Sequence, residues 1–174
     1  GMVFAKLGRL VAARETLLDV LSRGEALASH QLQIAALLHL SSIAEQMGRW
    51  DDAAAWAGRI HALAETAGWR QMVGKAFAIL GRAAAAQDDH AAALRWHEQA
   101  LEVSRAVGDR YFEAYLLLCL GQSSLGRGDA AAALRWFALS RSAFETVGMA
   151  YKVVECGAYL ALCQSRLGDS GPAL

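Results

Sequence analysis

Asparagine is absent from this sequence of 174 residues, and proline occurs only once, at Pro172. Sheet proteins need turn residues of these kinds together with β-branched runs, and this alanine-rich chain is short of both. The lack of asparagine also excludes N-glycosylation. The composition therefore predicts an all-α protein.

Net charge is also missing, since 17 Lys and Arg residues balance 17 Asp and Glu residues. A net charge of zero provides no overall positive field to attract nucleic acid or an anionic membrane, so we expect neither as a direct partner. Cys119, Cys156 and Cys163 are few, unevenly spaced and without a CxxC pair, which fits a reducing compartment. No apolar run reaches the ~20 residues that cross a bilayer, and no signal peptide is visible, so we expect a cytoplasmic protein.

Glycine marks a regular interval of twenty residues along the chain. Counting in steps of twenty from Gly8, seven of nine positions are glycine, and the exceptions are Ala28 and Asp88. Glycine is favoured just past a helix end, where the backbone turns through the left-handed region. Apolar residues recur at helical spacing between the marks. The sequence therefore predicts eight helices, over residues 9–24, 30–47, 50–67, 70–87, 90–107, 110–127, 130–147 and 150–167. Carboxylates that accept free N–H groups at helix starts are expected at Asp51, Asp52, Asp88, Asp89 and Asp129.

Alternate helices differ in pattern, so the complete repeat spans forty residues. First-type helices carry a large residue followed by Leu-Gly and a small residue, as in Leu117-x2-Leu120-Gly121-x2-Ser124. Second-type helices carry Ala-x3-large, as in Ala133-x3-Phe137, Ala93-x3-His97 and Ala13-x3-Leu17. Tryptophans recur at the same interval, at Trp56, Trp96 and Trp136. We interpret them as part of the hydrophobic core between repeats rather than as a row of rings that stacks on a ligand. A single repeat domain is predicted over residues 2–174, with marks near Gly8, Gly48, Asp88, Gly128 and Gly168.

These motifs resemble the tetratricopeptide repeat, whose signature joins Leu-Gly, an aromatic residue and Ala-x3-Phe. The resemblance covers the whole chain, although the period is forty rather than about thirty-four, the closing proline is missing and the tyrosine position is small. Similar long forms are those of bacterial signalling and transcription regulators and of Pins- and kinesin-light-chain-type scaffolds. The resemblance implies an α-α superhelical solenoid of about eight main helices. It also implies that first-type helices line a concave groove for a protein or peptide.

The groove positions, carried over from the resemblance, combine two cations with aromatic, apolar and amide side chains. The candidate peptide-binding residues are Ser42, Glu45, Lys75, Arg82, Tyr115, Leu118 and Gln122. Lys75 and Arg82 would hold an acidic segment through charge-assisted hydrogen bonds, while the small and apolar residues around them suit an amphipathic helix equally well. A solvated helix face is the competing interpretation of the charges. The expected function is that of a non-enzymatic protein- or peptide-binding adaptor.

Motifs that indicate catalysis, phosphate binding or metal binding are weak in this sequence. The segment from Gly126 to Ala131 has GxGxxA spacing, but no strand precedes it and it falls on the turn mark at 128, so a turn is favoured over a phosphate loop. His90 and His97 are seven residues apart and lack metal-ligand spacing. We therefore expect no catalytic residue, no metal and no cofactor.

The predicted helix over 150–167 is apolar on more than one face, whereas solenoids normally end in polar caps. An uncovered apolar face predicts a homo-oligomer or excision from a longer chain. The alternative function is therefore a sensor or oligomerisation segment of a larger bacterial transcription regulator.

Overall fold

Eight α-helices joined by short turns form the protein in a computed structural model that describes residues 2–169, with side chains for residues 8–168. The helices are α1 (Met2–Ala26), α2 (His30–Gln46), α3 (Trp50–Ala67), α4 (Arg70–Ala86), α5 (His90–Val107), α6 (Arg110–Gly126), α7 (Ala130–Thr146) and α8 (Ala150–Asp169). Helices α2 to α7 begin at the predicted residue and end within one residue of the prediction. The all-α prediction is confirmed.

The outermost glycine marks do not end helices. Helix α1 begins at Met2 rather than near residue 9, so Gly8 lies inside it, and Gly168 lies inside α8. A glycine within a helix costs about 1 kcal/mol relative to alanine, and a run of good helix formers around it outweighs that cost. The prediction that α1 starts after Gly8 is therefore wrong.

Each of the seven turns between helices contains one residue in the left-handed region of backbone space. Five are glycines with φ between +69° and +81°: Gly48, Gly68, Gly108, Gly128 and Gly148. Ala28 (φ 49°) and Asp88 (φ 62°) adopt the same conformation although their Cβ atoms disfavour it. The twenty-residue interval therefore predicts the turn positions even where glycine is missing.

Carboxylates cap several helices at their first turn. The side chain of Asp89 accepts a hydrogen bond from the Ala92 N–H at 2.9 Å, and that of Asp129 accepts one from the Ala132 N–H at 2.8 Å. Both caps were predicted, and each satisfies a backbone donor that the helix leaves unpaired. Asp109, which is not among the predicted caps, caps α6 in the same way.

The chain divides into two compact units, Gly1–Ala83 and Ala84–Leu174. In the first unit, Leu37, Leu40 and Ile60 are buried between α2 and α3, and the half-buried Trp56 packs against this core as predicted. In the second unit the core joins α6, α7 and α8, and its largest fully buried side chains are Phe137 and Phe144.

Candidate functional site

A close approach of α7 to α6 sets the geometry of the second unit. A Cβ atom on Gly121 would lie 2.5 Å from Cε1 of Phe137, so only glycine leaves room for this ring. The Phe137 ring also stacks on Tyr159 of α8, with centroids 4.6 Å apart and planes 9° from parallel. The repeat motifs at Gly121 and Phe137 thus fix where Tyr159 lies.

Tyr159 meets Gln122, one of the predicted groove residues, at the surface of α6 and α8. Gln122 Nε2 donates a hydrogen bond to Tyr159 Oη at 2.9 Å. The pair borders an open cavity of about 460 Å³, lined by Gln122, Leu125, Gly126, Tyr159 and Arg166. An amide, a phenol, a guanidinium and a leucine side chain therefore face one space, which suits a ligand with both polar and apolar groups.

Tyr115 and Leu118 have different environments although both lie on α6. Tyr115 is half-buried and its ring lies 6.1 Å from that of Phe112, with planes 12° apart. Leu118 is only 2% exposed and belongs to the hydrophobic core of the second unit. Leu118 is thus unavailable to a surface ligand, because α6 packs against both α5 and α7 and has little free circumference.

Four predicted residues lie in the first unit, where an ion pair joins two of them. Glu45 Oε1 accepts hydrogen bonds from Arg82 Nη2 at 2.7 Å and from Arg82 Nε at 3.0 Å. The side chains are 18% and 30% exposed, so the carboxylate offsets the positive charge of Arg82 in a partly desolvated setting. Lys75 is half-buried on the same helix, α4.

Ser42 lines a separate open cavity in the first unit, of about 470 Å³. Helices α1 and α2 form this cavity through Ala13, Thr16, Leu17, His39, Ser42, Ile43 and Gln46. The structure therefore places Glu45 in contact with Arg82 and Ser42 in the wall of a cavity. Tyr115, Leu118 and Gln122 lie in the second unit.

Tyr159 and Arg166 line the cavity of the second unit, although neither is among the predicted groove residues. Tyr159 follows Gln122 by 37 residues, and Arg82 follows Glu45 by the same 37 residues. Polar partners on successive first-type helices are thus separated by 37 residues, three fewer than the forty-residue repeat. A search for polar pairs at this separation would have found both contacts.

The thiols of Cys119, Cys156 and Cys163 are buried, and none of the three is in a disulfide. Burial raises the pKa of the Cys156 thiol, and this effect exceeds the opposing hydrogen bond to Ser140. Burial also raises the pKa of the Cys163 thiol. Among residues 8–168, whose side chains the structure describes, no group of three or more His, Cys, Asp and Glu is arranged to hold a metal ion.

No family model and no curated protein matches this sequence. Among solved structures, BtubC (BKLC) from P. vanneervenii is similar with a TM-score of 0.68 and 15% identity, covering 98% of this chain and 79% of that chain. MamA is similar with a TM-score of 0.50 and 16% identity, covering 93% of this chain and 97% of that chain. The fold is therefore an all-α helical repeat of the tetratricopeptide-like kind. In the described part of the chain, no helix has the length and apolar character that crossing a membrane requires.

Proposed function

We propose that this protein is a non-enzymatic adaptor that binds a peptide segment of another protein on the surface of its first-type helices. The observation that carries the proposal is the open cavity between α6 and α8, where Gln122 and Tyr159 are already oriented by their mutual hydrogen bond. Preorganised polar groups beside apolar surface favour binding because little side-chain freedom is lost when the ligand arrives.

The ligand class follows from the lining of this cavity. Arg166 offers a guanidinium to a carboxylate, and Leu125 offers apolar contact one turn away from Gln122. We expect an amphipathic helical peptide that places one acidic side chain near Arg166 and its apolar face near Leu125. In the first unit, the Glu45 carboxylate already pairs with Arg82, so an acidic ligand gains little from that guanidinium.

A selection from a randomised peptide library tests this function. We expect the wild-type protein to enrich peptides with an acidic residue within an apolar pattern, and the Arg166→Glu variant to lose them. Arg135→Glu, which changes an exposed arginine on α7, is the matched control and should enrich the same peptides as wild type. Enrichment that is identical in Arg166→Glu and wild type would show that the cavity does not bind the peptide.

The alternative function, an oligomerisation or sensing segment of a larger bacterial transcription regulator, requires self-association or a small ligand. It would use the same fold but a different surface, the face of α8 that exposes Val154 and Leu162.

A further inference from the structure

Helix α8 exposes a face that its counterparts bury. Val154 is 74% exposed, whereas Ile34 and Ala114, which hold the same repeat position in α2 and α6, are 2% and 0% exposed. Ala161 is likewise exposed, although the equivalent Gly121 is buried against Phe137. This face of α8 therefore has the repeat's packing positions but, within the part of the chain that the structure describes, no helix over it.

A second-type helix covers the same face of α6 within the second unit. Phe137 of α7 packs against Gly121, and Ser140 Oγ donates a hydrogen bond to the Ala114 carbonyl at 2.8 Å. Helices α2 and α3 pack together in the first unit and bury the equivalent Ser41 and Ala57. The repeat thus shows what kind of helix fits the uncovered face of α8: one with Ala-x3-large.

Helix α1 is such a helix, and its own matching face is exposed. Ala13 is exposed to solvent, whereas Ala53 and Ala133 at the same repeat position are 0% exposed. Leu17 is half-buried, whereas its counterpart Phe137 is fully buried. Ala13 and Leu17 also line the open cavity of the first unit, beside His39 of α2.

We propose that copies of this chain associate head to tail, with α8 of one copy packing on α1 of the next as α6 packs on α7. The forty-residue register places Ala161 against Leu17 of the next copy, where Gly121 meets Phe137 within one chain. Ala161 has one methyl group more than Gly121, whereas Leu17 is smaller than Phe137. The two facing side chains therefore fill about the same volume as in the contact within one chain, as close packing requires.

The same register places Val154 beside Val20 of the next copy and Leu162 beside His39 of the next copy, in the cavity of that copy's first unit. Leu162 is 42% exposed and Val20 is half-buried, so the contact would remove apolar surface from water on both sides. Equal numbers of acidic and basic residues leave little net charge to oppose association. Because the two faces differ, the contact is heterologous and lets a third copy add to a pair.

Analytical ultracentrifugation of the full chain at rising concentration tests the proposal. We expect the average mass of wild type to increase beyond that of a dimer. Ala161→Glu and Ala13→Glu should each remain monomeric, because each buries a charge in the junction while leaving the monomer's own contacts unchanged. Ala138→Glu, an exposed alanine on α7, is the control and should assemble as wild type does.

The decisive sample is an equimolar mixture of Ala161→Glu and Ala13→Glu chains. One intact junction remains available in this mixture, so we expect the mass to double and then stop at the dimer. A wild-type protein that is monomeric at every concentration overturns the proposal. So does an Ala13→Glu variant that assembles normally, since the face of α8 would then pair with something other than α1.

Discussion

Replacing Gly121 by alanine tests whether the contact between α6 and α7 is as close as the structure shows. The new Cβ would lie 2.5 Å from Cε1 and 2.6 Å from Cδ1 of Phe137, whereas carbon atoms in favourable contact lie about 3.5–4.0 Å apart. The ring must therefore move by roughly 1 Å. Phe137 is fully buried and its ring stacks on Tyr159, so the ring has little free space to enter.

Two opposing terms set the size of the effect. Overpacking a buried site costs about 1–3 kcal/mol, and exchanging glycine for alanine inside a helix returns up to about 1 kcal/mol. We expect Gly121→Ala to lower the free energy of unfolding by about 1–2 kcal/mol. The matched control is Gly58→Ala in α3, where the added Cβ meets nothing within 4 Å and only the helix term remains. That variant should gain about 0.5–1 kcal/mol.

Equilibrium urea unfolding followed by far-ultraviolet circular dichroism measures both changes. A double-mutant cycle tests whether the Phe137 ring causes the loss. Phe137→Leu should lower the free energy of unfolding less in the Gly121→Ala background than in wild type, because the smaller side chain relieves the clash. If Gly121→Ala stabilises the protein as much as Gly58→Ala does, the close approach of α6 and α7 is not real.

Two further predictions concern the turns and the buried thiols. Ala28→Gly should raise the free energy of unfolding by up to about 1 kcal/mol, and Gly48→Ala should lower it by about as much, because both residues have positive φ. A Cβ on Gly48 meets no neighbour, so packing does not contribute to the change. Urea unfolding measures both variants, and free-energy changes of the same sign would refute this explanation. Burial raises the pKa of the Cys156 and Cys163 thiols above the ordinary 9.0, so the unfolded chain releases these protons first as pH rises. The corresponding stability is complete below about pH 9 and is lost as the pH rises through the folded-state values. Urea unfolding between about pH 8 and pH 10 should show a smaller loss for Cys156→Ala than for wild type, and an unchanged loss would refute the assignment.

The local sequence pattern is enough to place the helices in order and the turns between them. Turn conformation and helix capping depend on a few adjacent residues, so the twenty-residue interval locates even the turns at Ala28 and Asp88. The limit of such local reasoning shows at Gly8, where a glycine alone did not end a helix.

Which side chains of the predicted groove stay exposed and unburied depends instead on the packing of the helices. Leu118 is buried because neighbouring helices pack on both sides of α6, and Arg82 is engaged by Glu45. Tyr159 enters the site through its contacts with Phe137 and Gln122. These outcomes depend on how far each helix is rotated about its axis and how closely it approaches its neighbour. That rotation and that distance are set by packing between residues far apart in the chain, which a local pattern does not encode.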